Sequence, residues 1–293
     1  GRAYVLRTWL SRASAQAAGD YTDAFFGGLP RKAAERGYAP VFVAGILQDF
    51  SRTAAAALRR QDVLIIPEEH FLRLRDILEC ALAPEPALQT GPAAVFMGED
   101  VAEIIAWHWR RGYESGAVFL NLLRRAISRR LHADLNPQAY IQTFENYAWE
   151  KLAIDGLRAD PAPPFIIGFQ HAFLCQDSFK YYPGPGEAKV MPLPDRIVTL
   201  GKTTAGMLRS RGDFTGIDIR PGCALRQNHV GVRRSNDAAL PRRVLIPLSL
   251  SCPEIVRILT FLSEAGGDFA GWEVALRFHP HLPWEEFSRK YRR

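Results

Sequence analysis

The chain has few cysteines, and none of them is placed for a metal site or a disulfide framework. Its 293 residues include only Cys80, Cys175, Cys223 and Cys252, which lie far apart with no Cys-x-x-Cys pair. Zinc sites and disulfide-rich folds depend on closely spaced cysteine and histidine residues. The sequence therefore predicts reduced, structural thiols and no bound metal.

Long hydrophobic runs and nucleotide-binding glycine motifs are also missing. No stretch approaches the roughly 18 apolar residues of a membrane span, and the first residues carry no basic-then-apolar export signal. We therefore expect a cytoplasmic protein. Neither a Gly-x-Gly-x-x-Gly pattern nor a complete P-loop occurs, which argues against a dinucleotide-binding or P-loop enzyme.

The composition is that of a folded protein with an excess of positive charge. Hydrophobic residues make up 47% and charged residues 23%, while 37 lysines and arginines against 31 acidic residues give a net charge of +6. Arginines cluster between Trp107 and Arg130. This cluster favours anionic partners such as nucleotide-sugars, lipid phosphates, membrane surfaces or nucleic acid, or it is a solvated helix face. Nucleic acid is disfavoured because the basic residues lack interleaved aromatics.

The hydrophobic pattern predicts an α/β protein of two domains. In residues 1–228, short β-branched runs alternate with helical patterns, which indicates a parallel sheet covered on both faces. The long helical stretch from Glu99 to His132 should break around Gly112 and Gly116. Residues 229–243 are polar and without period, as in a linker. Residues 244–293 predict one strand, helix, strand unit, and we expect this second domain to continue beyond Arg293 because so small a parallel sheet is not stable alone.

Two segments of the second domain predict a phosphate-binding site. Ligands of parallel sheets lie beyond the carboxyl ends of the strands, where Ser249 and Ser251 follow one strand and His279 and Pro280 follow the next. A helix N-terminus, two hydroxyls and an imidazole all suit a phosphate. The alternatives are simple N-capping by Ser251, a structural histidine, or a metal held by His279 and His281, for which further ligands are not evident.

The first domain offers further candidates at strand ends or in loops. Glu145 follows a strand beside Tyr147 and Trp149, so its carboxylate could deprotonate a sugar hydroxyl; otherwise it is an ordinary helix N-terminal acid. Gln170 and His171 follow another strand and suit substrate hydroxyls, or serve as buried structural groups. Asp23, in a polar loop, is another catalytic candidate. Arg226 and Arg277 are candidates for binding an anionic substrate.

Several of these segments together resemble a known family. "FENYAWEK", "IGFQHAF", "GCALR", "LIPLSLS" and "LRFHP", in this order, are similar to motifs of bacterial surface-carbohydrate biosynthesis proteins, over roughly residues 140–283. The resemblance implies a glycosyltransferase of the GT-B type, with two Rossmann-like domains whose parallel sheets face a cleft. It also implies a glycan or lipid-linked glycan acceptor.

The histidine-proline pair resembles the one in bacterial transferases that use CMP-activated Kdo or sialic acid. That resemblance implies that His279, Ser249 and Ser251 contact the phosphate of a CMP-sugar, and that no metal takes part. The hypothesis from sequence is therefore a metal-independent glycosyltransferase that acts on a surface glycan. Peripheral contact with the inner face of the plasma membrane is a further expectation. The alternatives are a sugar-nucleotide epimerase or hydrolase of the same fold, or a non-catalytic glycan- or lipid-binding subunit.

Overall fold

The computed structural model describes residues 2–10, 22–47, 56, 64–83, 95–96, 98–226, 242–279 and 282–291. Two compact units make up the chain, Gly1–Val230 and Gly231–Arg293. Of the predicted linker, residues 229–243, only 242 and 243 are described, and they belong to a strand. No helix within the described ranges is both long and apolar enough to cross a membrane.

The first unit is built on a seven-stranded sheet in the order β3-β2-β1-β6-β7-β8-β9, and every paired strand is parallel to its neighbour. A separate two-stranded antiparallel sheet joins β4 and β5. The strands of this unit are β1 (Arg2–Leu10), β2 (Tyr38–Ile46), β3 (Ile65–Pro67), β4 (Val95–Phe96), β5 (Glu99–Asp100), β6 (Ala139–Thr143), β7 (Phe165–Phe169), β8 (Arg196–Thr199) and β9 (Asp218–Pro221).

Successive residues of β1 enter two different cores. Val5 packs with Ile127 and Ile154 in one cluster, whereas Leu6 packs with Phe26 and others in a second. Neighbouring side chains of a strand point to opposite faces, so a sheet that is apolar on both faces needs cover on both. The predicted α/β class with a parallel sheet is confirmed.

Six helices of this unit lie within the described residues. They are α1 (Leu29–Ala34), α2 (Leu74–Ala81), α3 (Ala102–Glu114), α4 (Ala117–Leu135), α5 (Ala148–Arg158) and α6 (Lys202–Arg211). The predicted break in the long helical stretch falls at Gly116, which has a φ of 72° and separates α3 from α4. Gly112, the other predicted break point, lies inside α3.

The second unit contains β10 (Arg242–Pro247), α7 (Cys252–Glu264), β11 (Trp272–Arg277) and α8 (Trp284–Tyr291). The two strands are parallel, with Pro247 opposite Arg277. Its core consists of Leu248, Ile255, Leu282 and Phe287. The predicted strand, helix, strand order is confirmed, and α8 is an addition that the sequence pattern did not indicate.

Candidate functional site

Polar side chains meet where β6 and β7 end. These strands are adjacent, with Thr143 opposite Phe169, so Glu145 and His171 each lie two residues beyond a paired strand end. An oxygen of the Glu145 carboxylate, Oε1, lies 3.2 Å from His171 Nε2, and its Oε2 accepts a hydrogen bond from Lys180 Nζ at 3.0 Å. Glu145 and His171, which were predicted separately from sequence, therefore form one pair.

The partners of Glu145 determine its protonation. The hydrogen bond from His171 lowers the pKa of Glu145 from its ordinary value of 4.5 to about 2, with help from Lys180 and against the opposing effect of burial. Glu145 is thus an anion at any neutral pH. A carboxylate with so low a pKa accepts protons weakly, which makes Glu145 better suited to orienting a neighbour than to acting as a base.

Glu150 fixes the loop that carries Glu145. It is 1% exposed, and its carboxylate accepts the backbone N–H of Glu145, at 3.0 and 2.9 Å to its two oxygens, and that of Tyr147 at 3.1 Å. Burial raises the pKa of Glu150 to about 7, against the effect of these backbone bonds. The loop also contains Asn146 at a φ of 60°, a conformation that asparagine tolerates.

Aromatic and basic groups surround the pair. Lys180 Nζ lies 3.7 Å from the centre of the Tyr147 ring, and Phe25 packs edge-on against His171 with ring centres 4.9 Å apart. The Arg226 guanidinium approaches His171 Nδ1 at 3.5 Å. Predicted residues Glu145, His171 and Arg226 thus belong to a single cluster, with exposed aromatic surface beside it.

Asp23 reaches this cluster through its own loop. It is 2% exposed, and its Oδ1 accepts the backbone N–H groups of Phe25 at 2.7 Å and Phe26 at 2.8 Å. These bonds shape the turn that presents Phe25 to His171. The observed contacts therefore give Asp23 a role in positioning Phe25, and the catalytic role expected from sequence stays a prediction.

Gln170 lies next to the site in sequence but points into the protein. Its side chain is fully buried, donates to the carbonyl of Ala172 and accepts the Leu200 N–H at 3.4 Å. The sequence left two alternatives for Gln170, a substrate contact or a buried structural role. These contacts correspond to the buried structural role. Gln170 holds the chain that leaves β7 against the end of β8.

In the second unit, the serines and the histidine follow neighbouring strands. Because Pro247 pairs with Arg277, Ser249 and His279 each lie two residues beyond the paired ends, on one edge of the sheet. Ser249 Oγ donates to Glu254 at 2.6 Å and accepts the N–H of Ser251 at 3.0 Å. Ser251 is the N-cap residue of α7 but makes no side-chain capping bond, so the alternative of N-capping by Ser251 is wrong.

Arg277 is the last residue of β11, and His279 lies two residues beyond it. The Arg277 side chain is exposed, and its carbonyl accepts the Leu248 N–H at 2.8 Å. His279 is half-buried, and its carbonyl accepts the Leu282 N–H at 2.9 Å. Pro280 and His281 lie outside the described residues. No group of three metal-ligating side chains occurs among the residues that are described.

Lys180 is a site residue that sequence reasoning missed. It lies in a short 3₁₀ turn, Phe179–Tyr181, of the loop between β7 and β8. The single signal for it was a lysine within the aromatic run "FKYY". Phe25 was likewise visible only as part of the apolar pair beside Asp23.

Comparisons with known proteins give only weak likenesses, all of them to solved structures. No protein-family model and no curated protein matches the chain. Among solved structures, it is similar to the glycotransferase of kitacinnamycin, over 97% of this chain and 67% of that one, at 13% identity and a TM-score of 0.44. It is also similar to a glycosyltransferase from Rickettsia africae ESF-5, over 96% of this chain and 69% of that one, at 10% identity and a TM-score of 0.41. These values assign neither a family nor an activity.

Proposed function

We propose that the chain is a metal-independent glycosyltransferase that moves a sugar from a nucleotide-activated donor to a hydroxyl of a surface glycan or its lipid-linked precursor. The observation that supports this most is the Glu145–His171 pair, 3.2 Å apart beside exposed aromatic surface at the carboxyl edge of a parallel sheet. Carboxylate and imidazole together are suited to removing a hydroxyl proton, and aromatic rings suit the faces of sugars.

On the acceptor side, we assign the proton transfer to His171 and its orientation to Glu145. With Nε2 donating to Glu145, the imidazole has its basic lone pair on Nδ1, where Arg226 approaches at 3.5 Å. An acceptor hydroxyl would take the place of this long Arg226 contact and give its proton to Nδ1. The negative charge of Glu145 then stabilises the imidazolium that forms.

On the donor side, we assign the leaving phosphate to the edge that carries His279, Ser249 and the N-terminus of α7. Departure of a nucleotide develops negative charge on its phosphate, which a helix N-terminus and an imidazole can stabilise. Ser249 would exchange its hydrogen bond to Glu254 for one to the phosphate. The similarity of the His279-Pro280 pair to that of CMP-sugar transferases makes a CMP-sugar the favoured donor, and Arg277 would suit its acidic sugar.

The experiment that tests this is a transfer assay with labelled CMP-, UDP-, GDP- and dTDP-sugars, with and without a bacterial glycolipid fraction as acceptor. We expect labelled glycolipid with one donor, and a loss of about a hundred- to a thousandfold in turnover for His279→Ala, the usual effect of removing a donor to a developing oxyanion. His70→Ala, which changes an exposed histidine elsewhere, is the matched control.

Two results would contradict the proposal. Full turnover of the nucleotide-sugar without any acceptor would identify a hydrolase or an epimerase instead. Unchanged transfer by His279→Ala would remove the phosphate contact from that residue.

A further inference from the structure

Helix α3 lies on the first unit with an unusually large share of its apolar side chains in solvent. None of its residues is buried, and Ile104, Ile105, Trp107 and Trp109 are 59%, 42%, 54% and 37% exposed. Helices of globular proteins ordinarily bury an apolar stripe against the core. The tryptophan and isoleucine side chains of α3 are therefore left partly uncovered by the rest of the described chain.

Helix α2 also exposes apolar side chains. Leu74, Leu78 and Leu82 recur every four residues along one side of α2 and are 72%, 53% and 79% exposed. A groove of about 390 Å³ separates the two helices, and its lining of mainly apolar residues includes Ala81 from α2 and Tyr113 from α3. The carboxyl-terminal ends of α2 and α3 therefore lie beside the same groove.

The arginines of α3 differ from those of α4 in their partners. Arg124, Arg125 and Arg130 of α4 pair with Glu68, Asp155 and Asp76. Arg110 and Arg111, at the end of α3, are exposed and form no salt bridge with another described residue. The arginine cluster seen in the sequence is therefore largely neutralised on α4, while α3 presents two guanidinium groups beside its exposed tryptophans.

We propose that α3, together with Leu78 and Leu82 of α2, is a docking surface for an anionic lipid bilayer. Tryptophan and isoleucine insert at the boundary between headgroups and acyl chains, and arginines attract anionic headgroups. A second copy of the chain fits this surface less well. In a two-fold dimer the same patch faces itself, so Arg110 and Arg111 would meet like charges.

Docking at α3 would bring lipid near the end of the sheet that carries the Glu145–His171 pair. Helix α4 has 19 residues, roughly 28 Å at 1.5 Å per residue, and its last residue lies three residues before β6. Its Arg124 lies over Trp9, at the carboxyl end of β1. The start of α4, where α3 joins it, therefore lies toward the carboxyl edge. Vesicle binding by this surface does not require the chain to transfer sugar.

The experiment is co-sedimentation of the 293-residue chain with vesicles of 60% phosphatidylcholine and 40% phosphatidylglycerol, and with pure phosphatidylcholine. We expect binding to the anionic vesicles that weakens at high salt. Both Trp107→Ala/Trp109→Ala and Arg110→Glu/Arg111→Glu should weaken it by roughly tenfold or more, since each removes one of the two attractions.

Matched controls lie on the second unit. Phe261→Ala removes an aromatic ring that is 59% exposed, and Arg257→Glu/Arg289→Glu reverses two exposed arginines. Both should bind vesicles as the unchanged chain does. Vesicle binding that is absent, or that is equal in the α3 variants and these controls, would overturn the proposal. So would a change from dimer to monomer in Trp107→Ala/Trp109→Ala with vesicle binding unaltered, which would identify a second copy as the occupant.

Discussion

Glu145 and Glu150 are two carboxylates five residues apart whose surroundings shift their pKa values in opposite directions. The contacts of His171 and Lys180 lower the pKa of Glu145 to about 2, while burial raises that of Glu150 to about 7. The first carboxylate faces the site as a permanent anion, and the second faces the backbone N–H groups of the loop. Residues of one type therefore have separate tasks, one electrostatic and one structural.

Replacement of His171 by alanine tests the assignment of the base. We expect His171→Ala to lower kcat by a factor of about 10² to 10⁴, the usual contribution of a general base, with a smaller change in KM. Imidazole added to the assay should restore part of the activity of His171→Ala and leave the unchanged chain unaffected. Rates measured across an imidazole series provide the readout.

Glu145→Gln distinguishes orientation from proton transfer in the same assay. Because His171 remains in this variant, we expect a partial loss of kcat that imidazole does not restore. A loss in Glu145→Gln as deep as that in His171→Ala, with no imidazole rescue in either, would return the role of base to Glu145.

Sequence reasoning found several members of this site without finding their contacts. Glu145 and His171 could be predicted because each follows a β-branched run, where ligands of parallel sheets bind. Their pairing depends on β6 lying next to β7 in register, which a single sequence does not reveal. Gln170 and His171 are neighbours beyond the end of β7, and a single sequence does not show that Gln170 is fully buried while His171 pairs with Glu145.

At the scale of elements, the contact between α4 and α5 depends on a glycine. A Cβ placed on Gly156 of α5 would lie 2.2 Å from the carbonyl oxygen of Arg125 on α4. The Ile127, Leu131, Ile154 and Leu157 side chains of the same two helices are buried together in the core. The two helix backbones can approach this closely only because no side chain separates them.

Gly156→Ala should therefore separate the helices and destabilise the fold. We expect a loss of about 1 to 3 kcal/mol in the free energy of unfolding, the usual cost of overpacking, measured by urea denaturation. Gly206→Ala is the control, because a Cβ on this exposed glycine of α6 meets nothing within 4 Å. It should leave stability unchanged or raise it by roughly 0.5 to 1 kcal/mol. Equal stabilities for the two variants would contradict the role given to Gly156.

Element boundaries followed from sequence where a local signal existed. The glycine at 116 ends a helix because it adopts a positive φ, and alternation of β-branched runs with helical patterns predicted the parallel strands. The apolar residues of segment 68–82 recur at helical spacing throughout, yet the segment forms a 3₁₀ turn, Glu68–Phe71, and then α2. Glu68 is drawn inward by Arg7 and Arg124, a contact between distant residues that no local pattern contains.

At the scale of the whole molecule, two units each combine parallel strands with polar residues at their carboxyl ends. The first carries the Glu145–His171 pair, and the second carries Ser249 and His279. The net charge of +6 is not spread evenly, since the α4 arginines are paired and those of α3 are not. The sequence predicted this α/β organisation, but it could not show which arginines remain without acidic partners.

The central claim is that the chain recognises a nucleotide-activated sugar. Titration calorimetry with CMP, UDP, GDP and dTDP, on the unchanged chain and on His279→Ala, tests it most directly. We expect one nucleotide, with CMP favoured, to bind the unchanged chain, and its affinity to fall about tenfold or more in His279→Ala, as when a donor to a charged oxygen is lost. Failure of all four nucleotides to bind, or equal affinity in the variant, would contradict the claim.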